Sequence, residues 1–546
     1  MPNKKQISVF EIIIYGAIGV TLAATPMLNK DSLVIPKVAL LFIIALYLLP
    51  YVINNYKSLT QHKLSFSLFV VAILILIQMA LVLITTNSPF VQQLYGRTGR
   101  GTGLLTFLSL IILMLAANIF IKTEGLNKIN FGLAIAGTFT AVYSIFQYYG
   151  LDFYGWDSKT NGIIATLGNP NFVSSFLAMA LIPTLVVIRQ KKQNLVFQLL
   201  VGLLFLFSLY IAESTQGYVT LFVALISYAL IFFWFKKQYI FYLVSVFTLA
   251  ISWVAVMGML NIGPLSSFLY KISVQARGDF WRSAYDASKS NPIFGVGLDS
   301  FGDHYLKFRD EIAVGHPFME YTDSAHNYFL DYAVSGGKPL ALLHLLIIAL
   351  LSLSFYSIQK RKIFNAQLAS LFSTQIVIYA QSIISPMNIS IMVWGSIITG
   401  SLIGASRINI DNLNNSAIKQ NQSSFRISSL GAVILGIFII FPYFNADRLQ
   451  LTAMNTGNGD LAIKSTKMYP ESVVRYSTMS RALLDSGLSV QALDLAYSAV
   501  RFNPNSPALW SLILINPSAP IEQRKNAQTE ILKLDPLNKE VINYFN

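Results

Sequence analysis

The sequence predicts an all-α protein: a polytopic membrane helix bundle of about thirteen transmembrane helices, with a long extracytoplasmic loop and a C-terminal helical solenoid. Three observations lead there. Of 546 residues, 54% are hydrophobic and only 12% charged, with a mean hydropathy of +0.57, too little polar surface to cover a water-soluble globule of that size. The apolar residues fall in runs long enough to cross about 30 Å of hydrocarbon, separated by short clusters of Lys and Arg. One long polar stretch, residues 261–338, breaks the series, and the last hundred or so residues carry an internal period instead of apolar runs.

In chain order the runs lie near 8–28, 33–53, 64–85, 103–121, 129–149, 171–188, 195–212, 218–235, 240–260, 339–358, 368–386, 388–405 and 427–444. The first follows Lys4 and Lys5 as a signal peptide would, but no small-residue cleavage site leads into a soluble domain, so it is expected to stay as a first helix. The turn Ser385-Pro386-Met387-Asn388 is short enough for its flanking runs to form a re-entrant pair instead of two spans. Cytoplasmic connections collect Lys and Arg. An N-terminus inside puts Lys57 and Lys63, Lys122 and Lys128, Arg189 with Lys191 and Lys192, Lys236 and Lys237, Lys360 with Arg361 and Lys362, and Arg407, Lys419 and Arg426 on that side. The opposite short connections keep only Lys30, Arg97, Arg100 and Lys159. Residues 1–444 then form the membrane domain, and the 260–338 loop and residues 445–546 are extracytoplasmic.

In that tail Met468-Tyr469-Pro470, Phe502-Asn503-Pro504 and Leu534-Asp535-Pro536 recur at spacings of 34 and 32 residues, each after a helical apolar pattern. Such a period matches tetratricopeptide (TPR) repeats. The unit either packs on the membrane domain or offers a concave surface to a protein partner.

Composition also removes function classes. With no cysteine there is no disulfide, thiolate metal site or cysteine nucleophile. The net charge of +14 is spread through inter-span clusters, which argues against nucleic acid. Neither a His-Glu-x-x-His nor a Gly-x-Ser-x-Gly motif is present.

Polar residues on the outer side carry what chemistry there is. Arg97 and Arg100 lie among glycines in Tyr95–Gly103, where guanidinium forks suit phosphate oxygens or lipid headgroups. Asn169 and Asn171 precede a span and either cap that helix or bond sugar hydroxyls. Gln216, in the polar turn Glu213–Gly217 at membrane depth, points to a cavity. Arg277 and Arg282 flank Trp281 in a helix expected from Arg277 to Ser290, suited to an anionic headgroup such as a polyprenyl pyrophosphate or to ordinary phospholipid. Gly295 and Gly297 mark a tight turn after Pro292. The long loop holds three of the chain's five histidines, and His326, set among Asp323, Ser324 and Asn327, either bonds the start of the next helix or transfers a proton.

Arg277 to Trp281, Asn291-Pro292-Ile293-Phe294-Gly295-Val296-Gly297 to Phe301, and Ala325-His326-Asn327 to Gly336-Gly337 together resemble the signature loop of the O-antigen ligase/polymerase superfamily. Gly168-Asn169-Pro170-Asn171 and the Tyr95–Gly103 loop are similar to family positions, and the tail to the branch bearing tetratricopeptide repeats. The resemblance implies a membrane glycosyltransferase of polysaccharide biosynthesis in the bacterial cell envelope, set in the cytoplasmic membrane. It would move a glycan from undecaprenyl pyrophosphate to a lipid, glycan or protein acceptor outside the cytoplasm, with inversion, without metal and without cofactor. His326 then assists the acceptor hydroxyl and Arg277 holds the pyrophosphate, with Arg97, Arg100, Arg282, Gln216, Asn169, Asn171 and Asn327 binding pyrophosphate or glycan. One departure stands out. Many relatives carry Ser-Arg-Gly where this chain has Thr215-Gln216-Gly217, so Arg97 or Arg100 is expected to supply the missing charge. Expected partners are the lipid-linked donor, its acceptor, membrane lipids and a protein on the repeat tail, with no nucleic acid. Ligase and polymerase stay open, as do a lipid-linked glycan flippase or transporter, which would show repeat symmetry between halves, and a non-catalytic envelope assembly protein.

Overall fold

The computed structural model describes residues 7–154, 162–236, 238–316, 321–362, 365–407 and 422–545. Lys4, Lys5, Lys159, Lys237 and Lys419 lie outside them. The fold is all-helical, and each predicted apolar run coincides with a helix. Among the described residues eight helices, from Val34–Asn55 to Ile427–Thr456, are long and apolar enough to cross a membrane, and Val9–Leu22, Leu104–Phe120, Leu195–Ile211 and Ile389–Ala405 are shorter apolar ones. The run at 368–386 is the helix Ala366–Ser382, whose Ser373, Thr374, Gln375 and Gln381 are buried and turn it toward the protein interior instead of lipid.

Local chemistry sets where these helices start. Ser8 and Glu11 form a reciprocal capping box on Val9–Leu22. Asn169, Asn194, Asn327, Asn365 and Asn388 each accept a main-chain N–H at the head of an apolar helix. Packing is close where small residues allow it. Leu104–Phe120 lies between Val34–Asn55 and Ile389–Ala405, and a Cβ on Gly400 would fall 1.9 Å from the Met114 carbonyl oxygen.

The long loop folds over one end of the bundle. Its helices Ile272–Ser290 and Phe301–Phe308 enclose a small core of Ala276, Phe280, Ala284, Phe301 and Tyr305, completed by Val334. The first begins five residues earlier than expected, taking in Ile272 to Ala276. The segment after Pro292 then runs along the kinked helix Tyr328–Lys360: Val296 N–H donates to the Val334 carbonyl at 2.7 Å and Lys338 N–H to that of Pro292 at 2.8 Å. Gly337 makes the kink, with φ 80° and no room for a Cβ, which would sit 2.0 Å from the Ile293 carbonyl oxygen.

The helix Gln422–Thr456 continues without a break through the expected boundary at 444/445 into the C-terminal domain. There, helices Gly459–Lys467, Val473–Asp485, Ser489–Phe502, Pro507–Leu514 and Ile521–Leu534 pack on one another around a separate core including Tyr476, Met479, Leu495 and Leu512. The recurring prolines, Pro470, Pro504 and Pro536, each follow a helix end by two or three residues, where proline's restriction on the preceding residue stops the helix.

Candidate functional site

The turn that carries His326 is built by the residues around it. Ser324 Oγ donates to Asp331 Oδ2 at 2.9 Å and accepts the His326 N–H at 3.0 Å, while the Ala325 N–H donates to Asp331 Oδ1 at 2.7 Å. His326 adopts φ 52°, a left-handed conformation that a side chain tolerates only when its surroundings enforce it. Its ring lies 5.2 Å from the Phe280 ring, centroid to centroid. Burial, then the charges of Arg100 and Arg277, push the imidazole down to about 3 against the opposing pull of Asp323. The ring is therefore neutral at physiological pH.

Arg277 reaches this group from the helix Ile272–Ser290. Its Nε donates to the Ile384 carbonyl and its Nη1 to that of Ser273, both at 2.6 Å, which fixes the plane of the guanidinium. The next residue of that turn, Ser385, donates from Oγ to Gln216 Oε1 at 2.6 Å, and Gln216 Nε2 donates to Ser175 Oγ at 3.2 Å. Ser214 donates to Asn171 Oδ1 at 2.6 Å. The turn between Ala366–Ser382 and Ile389–Ala405 thus brings Arg277, Gln216 and Asn171 into one neighbourhood. Lys271, which the sequence reading passed over, joins it: its Nζ donates to Thr215 Oγ1 at 2.9 Å. A positive charge six residues ahead of Arg277 in the chain is the signal the sequence offers.

The arginines of the Tyr95–Gly103 loop part company. Arg100, with a side chain 10% exposed, lies 3.7 Å from Asp323 and acts on His326. Arg97 is an internal partner: Nη1 donates to Asp303 Oδ1 at 2.8 Å and Nη2 to Tyr321 Oη at 3.0 Å. The Arg97 and Thr102 N–H groups both donate to Asp299 Oδ2 and that of Gly99 to Asp31 Oδ2, so the glycine-rich backbone of this loop wraps carboxylates. Arg282 is likewise committed, to Asp279 and Asp310. Asn169 and Asn327 are N-caps, Asn327 Oδ1 accepting the N–H groups of Phe329 and Leu330.

Below Arg100 the structure opens into the bundle. Arg100, Asp323, Asp331, Tyr332 and Met387 line a small cavity. Tyr332 and Met387 also border a second one of about 90 Å³, lined among others by Tyr328, His344, Gln375 and Gln381. His344 stacks on Tyr332 with centroids 3.6 Å apart, a contact with no sequence signal beyond a lone histidine in an apolar run. Gln375 and Tyr379 continue to a lateral apolar cavity of about 440 Å³ walled by Trp234, Phe241, Phe355 and Phe372. Among the described residues no group of three or more His, Asp or Glu is arranged for a metal ion.

Residues 199–345 match the family model described as O-antigen ligase. The match takes in Gln216, Lys271, Arg277, Arg282, His326 and Asn327, bears out the resemblance to the O-antigen ligase/polymerase superfamily, and supports an enzyme of glycan transfer at the membrane in general. Arg97, Arg100, Asn169, Asn171 and the C-terminal domain lie outside it. No curated protein matches the chain.

Proposed function

We propose that the chain is a metal-independent, inverting glycosyltransferase that moves a glycan from undecaprenyl pyrophosphate to a hydroxyl outside the cytoplasm. The observation that carries this reading is that the stretch matching the O-antigen ligase family model, residues 199–345, holds both Arg277 and the buried His326, on which Arg277 and Arg100 act. The acceptor oxygen attacks the anomeric carbon from the face opposite the leaving group, the bond from that carbon to the pyrophosphate oxygen breaks, and the acceptor proton passes to His326. Undecaprenyl diphosphate departs with the bonding electron pair. Arg277 and Arg100 meet its growing charge already fixed in place, so little reorganisation is required.

The low basicity of His326 suits this sequence of events. Burial, helped by two nearby cations, keeps the ring unprotonated before the donor arrives, and a bound diphosphate neutralises those cations and raises ring basicity when a base is wanted. General-base assistance contributes about 10² to 10⁴ in rate. Lys271, next to Gln216, supplies the positive charge absent from Thr215-Gln216-Gly217 and replaces Arg97 in that role.

The test is purified protein with an undecaprenyl-pyrophosphate glycan, offered lipid, glycan and protein acceptors side by side with and without chelator. Transfer to one of them that survives chelation and is lost in His326→Ala is expected. No transfer to any acceptor removes the proposal.

A further inference from the structure

The C-terminal domain grips the long loop at both ends of one short helix. At the start of Phe301–Phe308, Asn503 Nδ2 donates to Asp303 Oδ2 at 3.0 Å. Directly after its end, Arg309 forms a two-pronged pair with Asp535, Nη2 lying 2.8 Å from Oδ1 and 3.0 Å from Oδ2, and Nε 3.1 Å from Oδ1. Asn503 is 0% exposed and Asp535 1%, so both are fully withdrawn from water by contact and not merely nearby.

From this helix two short routes lead to His326. Asp303 also accepts from Arg97, which opens the turn that carries Arg100, and Thr98 in that turn meets Ser472 of the C-terminal domain at 2.7 Å. On the other route Tyr305 packs edge-on against Phe280, with centroids 5.7 Å apart, and Phe280 faces the His326 ring. The loop's own core is small, and its helix needs an outside hold to keep a fixed register.

We infer that Asn503 and Asp535 are positioning residues for the transfer site, and that the C-terminal domain is a brace for the catalytic loop. This face is therefore occupied by the chain's own loop and is closed to a separate protein partner. The inference rests on the proposed transfer reaction for its effect on rate, but the brace itself is measurable without it.

The experiment uses the full chain carrying Asn503→Ala, Asp535→Asn, or the exchanged pair Arg309→Asp with Asp535→Arg. Amide hydrogen exchange is read over residues 299–316 and 321–331, with the membrane helices as the folding control, and transfer is measured as separate kcat and donor KM. The single variants should speed exchange in those two segments about 10-fold and lower kcat about 10- to 100-fold, the scale of a misplaced catalytic group, with a smaller change in KM. The exchanged pair should recover part of both. Unchanged exchange overturns the brace, and faster exchange with unchanged transfer overturns the positioning role. If the wild-type chain transfers to no acceptor, the functional reading fails, and the exchange rates still decide whether the loop is braced.

Discussion

Two histidines of the long loop stand beside arginines in surroundings of opposite charge balance. His316 Nδ1 lies 2.8 Å from Asp279 Oδ2, and Arg282 bridges Asp279 and Asp310. The Arg282 contact holds the Asp310 carboxyl below the usual carboxylate range, as in a closed ion pair. Around His326 the balance differs: burial first, then Arg100 and Arg277 against Asp323, hold the imidazole uncharged. A guanidinium whose fork is filled by a carboxylate must break that pair before taking a substrate anion; Arg277 differs in donating to the Ile384 and Ser273 carbonyls, which orient its plane. Residue type alone does not separate these regions. The sign of the local surplus does.

Removing Arg277 tests the contrast most severely. Arg277→Ala should cost about 10²- to 10³-fold in kcat, the size of a lost charge-stabilising donor, and His326→Ala a comparable amount. Arg277→Lys should rescue little, because an ammonium cannot hold the Ile384 and Ser273 carbonyls in a fixed fork. Normal turnover in Arg277→Ala would erase the distinction between the two regions. The next comparison is Arg100→Gln against Arg97→Gln. The first should lower transfer about 10-fold or more and also lower the melting temperature, because Arg100 faces the buried carboxylates of Asp299 and Asp331. The second leaves Asp303 buried without its counter-ion, a loss of about 3–5 kcal/mol, visible first as a lower melting temperature.

The pH dependence sharpens the same point. With His326 held at about 3, kcat/KM should lack an acid limb from this group above pH 5. Removing the Arg100 charge favours the imidazolium, so Arg100→Gln moves the limb upward while burial still holds it below the ordinary histidine value, readable in the activity profile and in a histidine NMR titration. The stability sign follows. The unfolded chain binds this proton near 6.5 and the folded chain only near 3, so stability falls as the pH drops through that window. In His326→Gln that contribution to the slope should vanish.

Much of this architecture is legible from the chain because its signals are local. An apolar run marks a helix, an Asn marks its head, and a Pro marks its end, as at Asn388 or Pro504. His326 and Arg277 stand out because each sits in a short patch of polar residues. What the residues do not announce is which carboxylate each arginine meets. Arg97 pairs with Asp303, 206 positions away, and Arg309 with Asp535, 226 away. Those partners are set by how the loop and C-terminal domain stack on the bundle, and nothing in the composition around Arg97 distinguishes it from Arg100. The serine-rich Ala366–Ser382 helix is a milder case: its length is right for a span, but its polar face reports a cavity only once Tyr332 and His344 are seen opposite.

The smallest effects should come from the neutralised region. Arg282 is 41% exposed and Asp310 33%, so water screens the pair and its contribution to stability is about 0–1 kcal/mol. Arg282→Gln, whose amide keeps a donor for the buried Asp279, should therefore shift the melting temperature by a few degrees at most, less still in high salt, and leave kcat within about threefold. His316→Gln keeps a donor for Asp279 and should behave alike. A hundredfold loss of transfer in Arg282→Gln, with the fold intact by hydrogen exchange, would mean that the Asp279–Asp310 pair opens for the substrate. The boundary between the two regions would then have to be redrawn to include both histidines.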